Sequence, residues 1–229
     1  MERFFGPIRA RLPLTQAWAA IALLSIALLF ATSCSSGGSA AGPTDAPTVA
    51  GWRGPQPLPP VKKPDTMLTD TSGKPFSLPA QTKGEVTLLY LGYTHCPDIC
   101  PAVMAELGHV VQSLPAGVAG HVRVVFITTD PDRDSPAVIR KWLDTFSTQF
   151  IGLTGTTTEV ASVTHSLGLA TPTKDYIDEH GDYDIEHSAV IWAFDAQDNL
   201  AHLEYPADTS AADFEHDITR LVQRGWPGT

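Results

Sequence analysis

Val86-Thr87-Leu88-Leu89-Tyr90-Leu91-Gly92-Tyr93-Thr94-His95-Cys96-Pro97-Asp98-Ile99-Cys100-Pro101 decides the fold of this chain and marks where its chemistry sits. The first half is a continuous apolar run of strand length ending in glycine, the pattern of a strand buried on both faces. The second half places two thiols four residues apart, directly past the end of that strand. Four residues is about one helical turn, so a helical or tightly turned segment would project both sulfurs from one face, within reach of a third ligand. Only one other cysteine, Cys34, occurs in the chain.

Working outward, Pro101 suits the first position of a helix that carries Val103, Met104, Leu107, Val110 and Val111 at helical spacing. Residues 122–129 form a second buried strand, and Ser135-Pro136 opens a helix with Val138, Ile139, Trp142, Leu143 and Phe146 on one side. Strand, helix, strand, helix implies a parallel pair. Upstream, residues 67–78 place turn residues between two short apolar segments, a hairpin signal. Downstream, Thr156 and Glu159 have capping-box spacing for a helix ending near Gly168. Strands at 188–194 and 200–205 flank Asp195-Ala196-Gln197-Asp198-Asn199 as a hairpin that closes the sheet. A last helix shows Phe214, Ile218, Leu221 and Val222, with Gly225 just beyond its end. The expectation is an α/β sandwich with its thiols at the carboxyl end of a central strand, where open sheets place ligand crevices.

The beginning of the chain reads differently. Arg3, Arg9 and Arg11 precede an uncharged, mostly apolar stretch at 17–31. As a helix it would be about 22 Å long, short of the roughly 30 Å hydrocarbon core, so residues 1–33 read as an export signal rather than a permanent span. Ala31-Thr32-Ser33-Cys34 resembles a bacterial lipobox, with Ala31 where Leu is commoner, which makes Cys34 a lipidation site and the product a membrane-anchored, extracytoplasmic lipoprotein. Residues 34–60, rich in Gly, Ser and Pro, read as a tether, and 61–229 as one domain with a real core. The net charge is −10, and the leader's three arginines against one glutamate leave the remainder near −12. That balance argues against nucleic acid and against a polybasic membrane contact. An exported domain with one close cysteine pair is not using disulfides as a scaffold, so the pair reads as reactive.

Copper(I) is soft and prefers thiolate with imidazole in low coordination. Cys96 and Cys100 would supply two sulfurs, and one of the eight histidines would complete a three-coordinate site. Spacing alone selects none of them securely, although His187 is the best placed because it immediately precedes the strand at 188–194. Structural zinc wants four ligands, and only one Cys knuckle is present. The same pair can close as a disulfide, and an oxidised pair binds no metal, so loading would be gated by redox state. Asp130-Pro131-Asp132-Arg133-Asp134 imitates the start of an EF-hand but has Ser135 and Lys141 where Gly and Glu are needed. It reads as a strand-to-helix turn with an Arg133 ion pair.

Three segments, Gly92 to Pro101, Thr129 to Pro136, and Glu186-His187-Ser188-Ala189, resemble the SCO/SenC family and occur in that family's order. The resemblance covers roughly residues 60–225. It implies a thioredoxin-like fold with a central mixed sheet flanked by helices, here with an extra N-terminal hairpin. It further implies a copper site, as Cu(I) or Cu(II), formed by Cys96, Cys100 and His187. The implied role is a metallochaperone, not an enzyme in the strict sense, that delivers copper to, or matures, the binuclear copper centre of cytochrome c oxidase. Its partners would be the copper-site subunit of that oxidase, another periplasmic copper chaperone or a thioredoxin-like reductant. Glu186 stands where the family usually has Asp, a longer carboxylate beside the imidazole. The competing function is a thiol-disulfide oxidoreductase that uses Cys96 and Cys100 as its redox pair. A peroxidase is disfavoured, since peroxiredoxins carry Thr three residues before their cysteine and this chain has Tyr93.

Overall fold

The computed structural model describes residues 49–176 and 182–228. The expected signal, Cys34 and the first part of the tether lie outside the described residues. Three short strands, β1 (Val61–Lys62), β2 (Leu68–Asp70) and β3 (Pro75–Phe76), lead through α1 (Leu78–Gln81) to the central strand β4 (Val86–Gly92). The helix α2 (Ile99–Ser113) and the single turn α3 (Ala116–Ala119) return the chain to β5 (Val122–Thr128), followed by α4 (Pro136–Leu143), β6 (Ile151–Thr154) and α5 (Thr157–Ser166). A small hairpin of β7 (Thr173–Tyr176) and β8 (Tyr183–Glu186) precedes β9 (Val190–Phe194), β10 (Leu200–Pro206) and α6 (Ala211–Arg224).

The main sheet runs β1-β10-β9-β4-β5-β6-β2-β3. The strands β4, β5 and β6 are parallel, as the alternation of strands and helices implies, and the remaining neighbours are antiparallel. The N-terminal hairpin β2–β3 adds to the β6 edge, while β1 covers β10 at the other. Among the described residues no helix is long and apolar enough to cross a membrane.

Every residue of β4 is buried, because the sheet is covered on both faces. Side chains of a strand alternate, so Leu88 and Tyr90 enter the core shared with Met104 and Leu107 of α2, Ile139 of α4 and Phe214 and Ile218 of α6. Leu89 and Leu91 enter the opposite core with Leu78 and with Val163 of α5. Each such side chain stabilises the fold by roughly 1.5–3 kcal/mol relative to exposure. The capping box of α5 forms as its spacing predicts, with Thr156 and Glu159 each accepting the other's backbone N–H. Register then decides what meets at the site: Tyr90 pairs with Ile191 and Gly92 with Thr128. The start of β9 and the end of β5 therefore both arrive at the carboxyl end of β4.

One segment read as spacer is packed. The Arg53 and Gly54 backbone N–H groups donate to the buried Asp217 carboxylate at 3.0 and 2.8 Å, and Glu204 N–H donates to the Pro55 carbonyl at 2.9 Å. Trp52 stacks on Trp226 with ring centroids 4.7 Å apart, and the Arg220 guanidinium covers its ring at 4.8 Å. Gly54 is required here, since a Cβ would stand 2.3 Å from Tyr205 Cε1. Composition misses this strap because backbone amides and one indole hold it, rather than an apolar stripe. Trp52→Ala is expected to lower stability by about 2 kcal/mol, or roughly 4–8 °C in melting temperature, and thermal melts followed by tryptophan fluorescence check it.

Candidate metal centre

The carboxyl end of β4 is shaped to receive a sulfur. A Cβ on Gly92 would stand 2.9 Å from both Cys100 Sγ and Tyr90 Cε1, so no side chain fits there. Beyond it the chain turns into α2, whose first residue is Ile99 rather than Pro101 because the Asp98 side chain accepts the Ile99 N–H and caps the helix. Proline is tolerated in that first turn, where backbone N–H groups have no helical partner. Cys100 thus sits inside the helix and Cys96 in the turn just outside it, so of the two alternatives the sequence left open, helix or tight turn, the segment between the sulfurs takes the turn. The sulfurs still converge, since Cys100 N–H, one of those spare donors, points to Cys96 Sγ at 3.4 Å. Both cysteines are free thiols.

Burial divides the pair. Cys100 is wholly buried, whereas Cys96 keeps 8 % exposure. Burial pushes the Cys100 thiol up to about 12, against hydrogen bonds from the Tyr90 hydroxyl and the Tyr93 backbone that favour the thiolate. The Tyr90 hydroxyl donates to Cys100 Sγ at 3.4 Å.

His187 reaches the same sulfur from the far end of β8, with Nε2 3.7 Å from Cys100 Sγ. Its Nδ1 lies 3.1 Å from the Ser188 carbonyl, an obligate acceptor, so the proton resides on Nδ1 and the Nε2 lone pair is free. Burial holds the imidazole pKa below its ordinary value, against that hydrogen bond, and keeps the ring in the neutral form that ligates metals. The rings of Tyr93 and Tyr90 stand edge-on to it at 5.7 and 6.4 Å. The orienting acceptor is thus the Ser188 carbonyl; Glu186, the departure noted in the sequence, is exposed. With bonds of roughly 2.0 Å to nitrogen and 2.3 Å to sulfur and a trigonal angle, a shared ion would hold N and S about 3.7 Å apart. Among the described residues no cluster of three or more His, Cys, Asp or Glu side chains stands preassembled as a metal cage.

The turn at 130–134 contains the expected Arg133–Asp130 ion pair. It also joins the thiol loop to the His187 hairpin, which the sequence reading did not foresee. Asp134, wholly buried, accepts Thr94 N–H at 2.9 Å, Thr94 Oγ1–H at 2.5 Å and Thr128 Oγ1–H at 2.6 Å. Asp130 accepts the Tyr183 hydroxyl at 3.0 Å, and Arg133 Nη1 donates to the Tyr183 carbonyl at 2.8 Å. The Arg133 guanidinium lies over the Tyr183 ring at 3.6 Å and near the Tyr93 ring at 5.8 Å, while the Tyr93 hydroxyl donates to Asp184 at 3.2 Å. The hairpin of β7 and β8 went unread because its outer strand is exposed throughout and only Ile185 of its inner strand is buried.

His187 also forms one wall of an open groove of about 340 Å³ lined by Ala170, Thr171, Thr173, Glu186 and Ser188. A larger cleft floored by Val111 and Phe150 contains no cysteine or histidine.

Over 130 residues the chain is 35% identical to the mitochondrial protein SCO2 of Saccharomyces cerevisiae, a match covering 57% of this chain and 43% of that protein. Over 132 residues it is 34% identical to an SCO2-like protein of Rickettsia felis, covering 58% and 63%. It spans less than two thirds of the length of either relative. The structure of Bradyrhizobium japonicum ScoI with copper bound matches with a TM-score of 0.60 at 31% identity, covering 71% of this chain and 97% of that one. The SCO1/SenC family model matches residues 58–223. A match that begins before β1 and reaches the last turn of α6, with the thiol loop, the 130–136 turn and the Glu186-His187 step inside it in family order, makes this chain a member of the SCO1/SenC family.

Proposed function

We propose that this protein is a copper chaperone that holds one copper ion through Cys96, Cys100 and His187. The observation that carries the reading is His187 Nε2 at 3.7 Å from Cys100 Sγ, beside a second free thiol. The copper-bound ScoI of B. japonicum supports the choice of metal. Copper is cargo, so the step is ligand exchange: Cys96, the outer sulfur, turns onto the ion as it arrives and is the first to be displaced by an acceptor's ligands. Buried Cys100 and the pre-oriented imidazole remain until last. Tethered outside a membrane through lipidated Cys34, the domain would deliver copper to the binuclear copper site of cytochrome c oxidase, and reduction of the pair by a thioredoxin-like partner would license loading. No substrate bond need break, so the protein is not an enzyme in this role. The close pair of free thiols also fits a thiol-disulfide oxidoreductase, in which one thiolate attacks a partner's disulfide and the other resolves the mixed disulfide, leaving the pair oxidised and the partner reduced.

Anaerobic titration tests the copper reading. The reduced chain is expected to take up one copper per molecule and the oxidised chain none. Because Cys100 must lose a proton that it holds up to about pH 12, apparent affinity should fall about tenfold for each unit of pH lowered on its account. Copper binding that survives Cys96→Ser with Cys100→Ser, or that ignores oxidation, would refute the reading.

The Arg133 bridge has its own expected result. Arg133→Met should weaken copper binding about tenfold, as is usual when partners that orient metal ligands are lost. The number of titratable thiols should stay at its wild-type value, and competition against a copper chelator reads the change.

A further inference from the structure

Tyr90 is a wholly buried residue of β4 whose hydroxyl meets sulfur, not oxygen. In register it lies beside Phe126 and Ile191, and its ring packs against Phe126 with centroids 6.5 Å apart and edge-on to His187 at 6.4 Å. The absence of a side chain at Gly92 lets Cys100 Sγ come up to it. The sulfurs are therefore unequal in their surroundings: Cys96 Sγ receives the Cys100 backbone N–H, and Cys100 Sγ receives the Tyr90 phenol.

A thiol sulfur is a weak acceptor, but a metal-bound thiolate is a strong one, so the phenol bonds more tightly to the ligand than to the free thiol. Such a bond draws charge from the sulfur. Copper(II) depends on sulfur donation more than copper(I) does, and hydrogen bonding around a cysteine sulfur is a recognised control on copper potentials. We propose that the Tyr90 hydroxyl is a positioning group that biases the site toward copper(I) by withdrawing charge from the Cys100 sulfur. This rests on the copper reading above and adds to it the oxidation state that the site favours.

Tyr90→Phe in the full chain removes one oxygen and keeps the ring. The variant is expected to bind copper(II) about tenfold more tightly relative to copper(I), equivalent to a reduction potential about 59 mV lower for a one-electron couple. Its sulfur-to-copper(II) charge-transfer band should move to lower energy. Phe126→Leu, which loosens the packing of the same ring and leaves the hydroxyl, should change neither quantity. An unchanged band and ratio in Tyr90→Phe, while wild type and variant both bind one copper, would overturn the Tyr90 assignment and leave the chaperone reading intact. An equal shift in Phe126→Leu would also overturn it, since packing would then be the cause. If reduced wild type takes up no copper, both readings fall together, and that outcome is recognisable before any variant is made.

Discussion

His187→Ala should cost the reduced protein more than about a hundredfold in copper affinity, exceeding the ten- to hundredfold typical of changes in the outer partners of metal ligands. The reason is geometric. Nε2 presents a free lone pair 3.7 Å from Cys100 Sγ, and the Ser188 carbonyl holds the ring in that tautomer. Removing the ring leaves two sulfurs and no pre-oriented third donor within the described site. Reduction of a small disulfide should be largely unaffected, because neither sulfur needs the imidazole to attack or resolve. Fold stability should change little, by about 1 kcal/mol, since the ring is partly exposed and lines an open groove. Chelator competition and a thiol-exchange assay on the same sample separate the outcomes. Full copper affinity with a lost exchange rate would make the protein an oxidoreductase, not a chaperone.

Asp134→Ala should damage both fold and site. Its carboxylate is wholly buried and accepts three donors, two from Thr94 in the thiol loop and one from Thr128 at the end of β5. Alanine would leave the part-buried Thr94 N–H and the buried Thr128 hydroxyl proton without acceptors, although the Thr128 oxygen keeps the Asp130 N–H, at about 1–3 kcal/mol each. A total near 3 kcal/mol corresponds to roughly 6–12 °C in melting temperature for a domain of this size. Copper affinity should fall as well, because Thr94 is two residues from Cys96 and loses both of its bonds to the carboxylate. Asp134→Asn retains one acceptor oxygen and should recover part of each loss. A melting temperature within a degree of wild type for Asp134→Ala would show that water replaces the carboxylate, and that the thiol loop is not held from beneath.

The contrast between these two residues shows how unevenly the site is written in the sequence. The thiol pair was visible as two cysteines behind a buried strand. His187 was one of eight histidines, singled out by its place before a strand and by family resemblance. Asp134 looked like part of a local turn. Nothing in the spacing of Asp130, Arg133 and Asp134 says that their bonds run to Thr94 and Tyr183, forty and fifty positions away. The strap at 51–56 escaped for the same reason: its partner, Asp217, is contributed by the last helix.

What the sequence by itself determined are the elements whose signal is local: the doubly buried β4, the parallel β4–β5 pair, the capping box of α5, and two thiols at the carboxyl end of the central strand. Periodicity and capping act over a few residues, so a linear reading captures them. Tertiary structure alone decided the exposed hairpin that carries His187, the approach of its imidazole to Cys100, and the Asp134 carboxylate beneath the thiol loop. These depend on strand register, which brings the ends of β4 and β5 and the start of β9 together, and on hydrogen bonds that exist only after burial has excluded water.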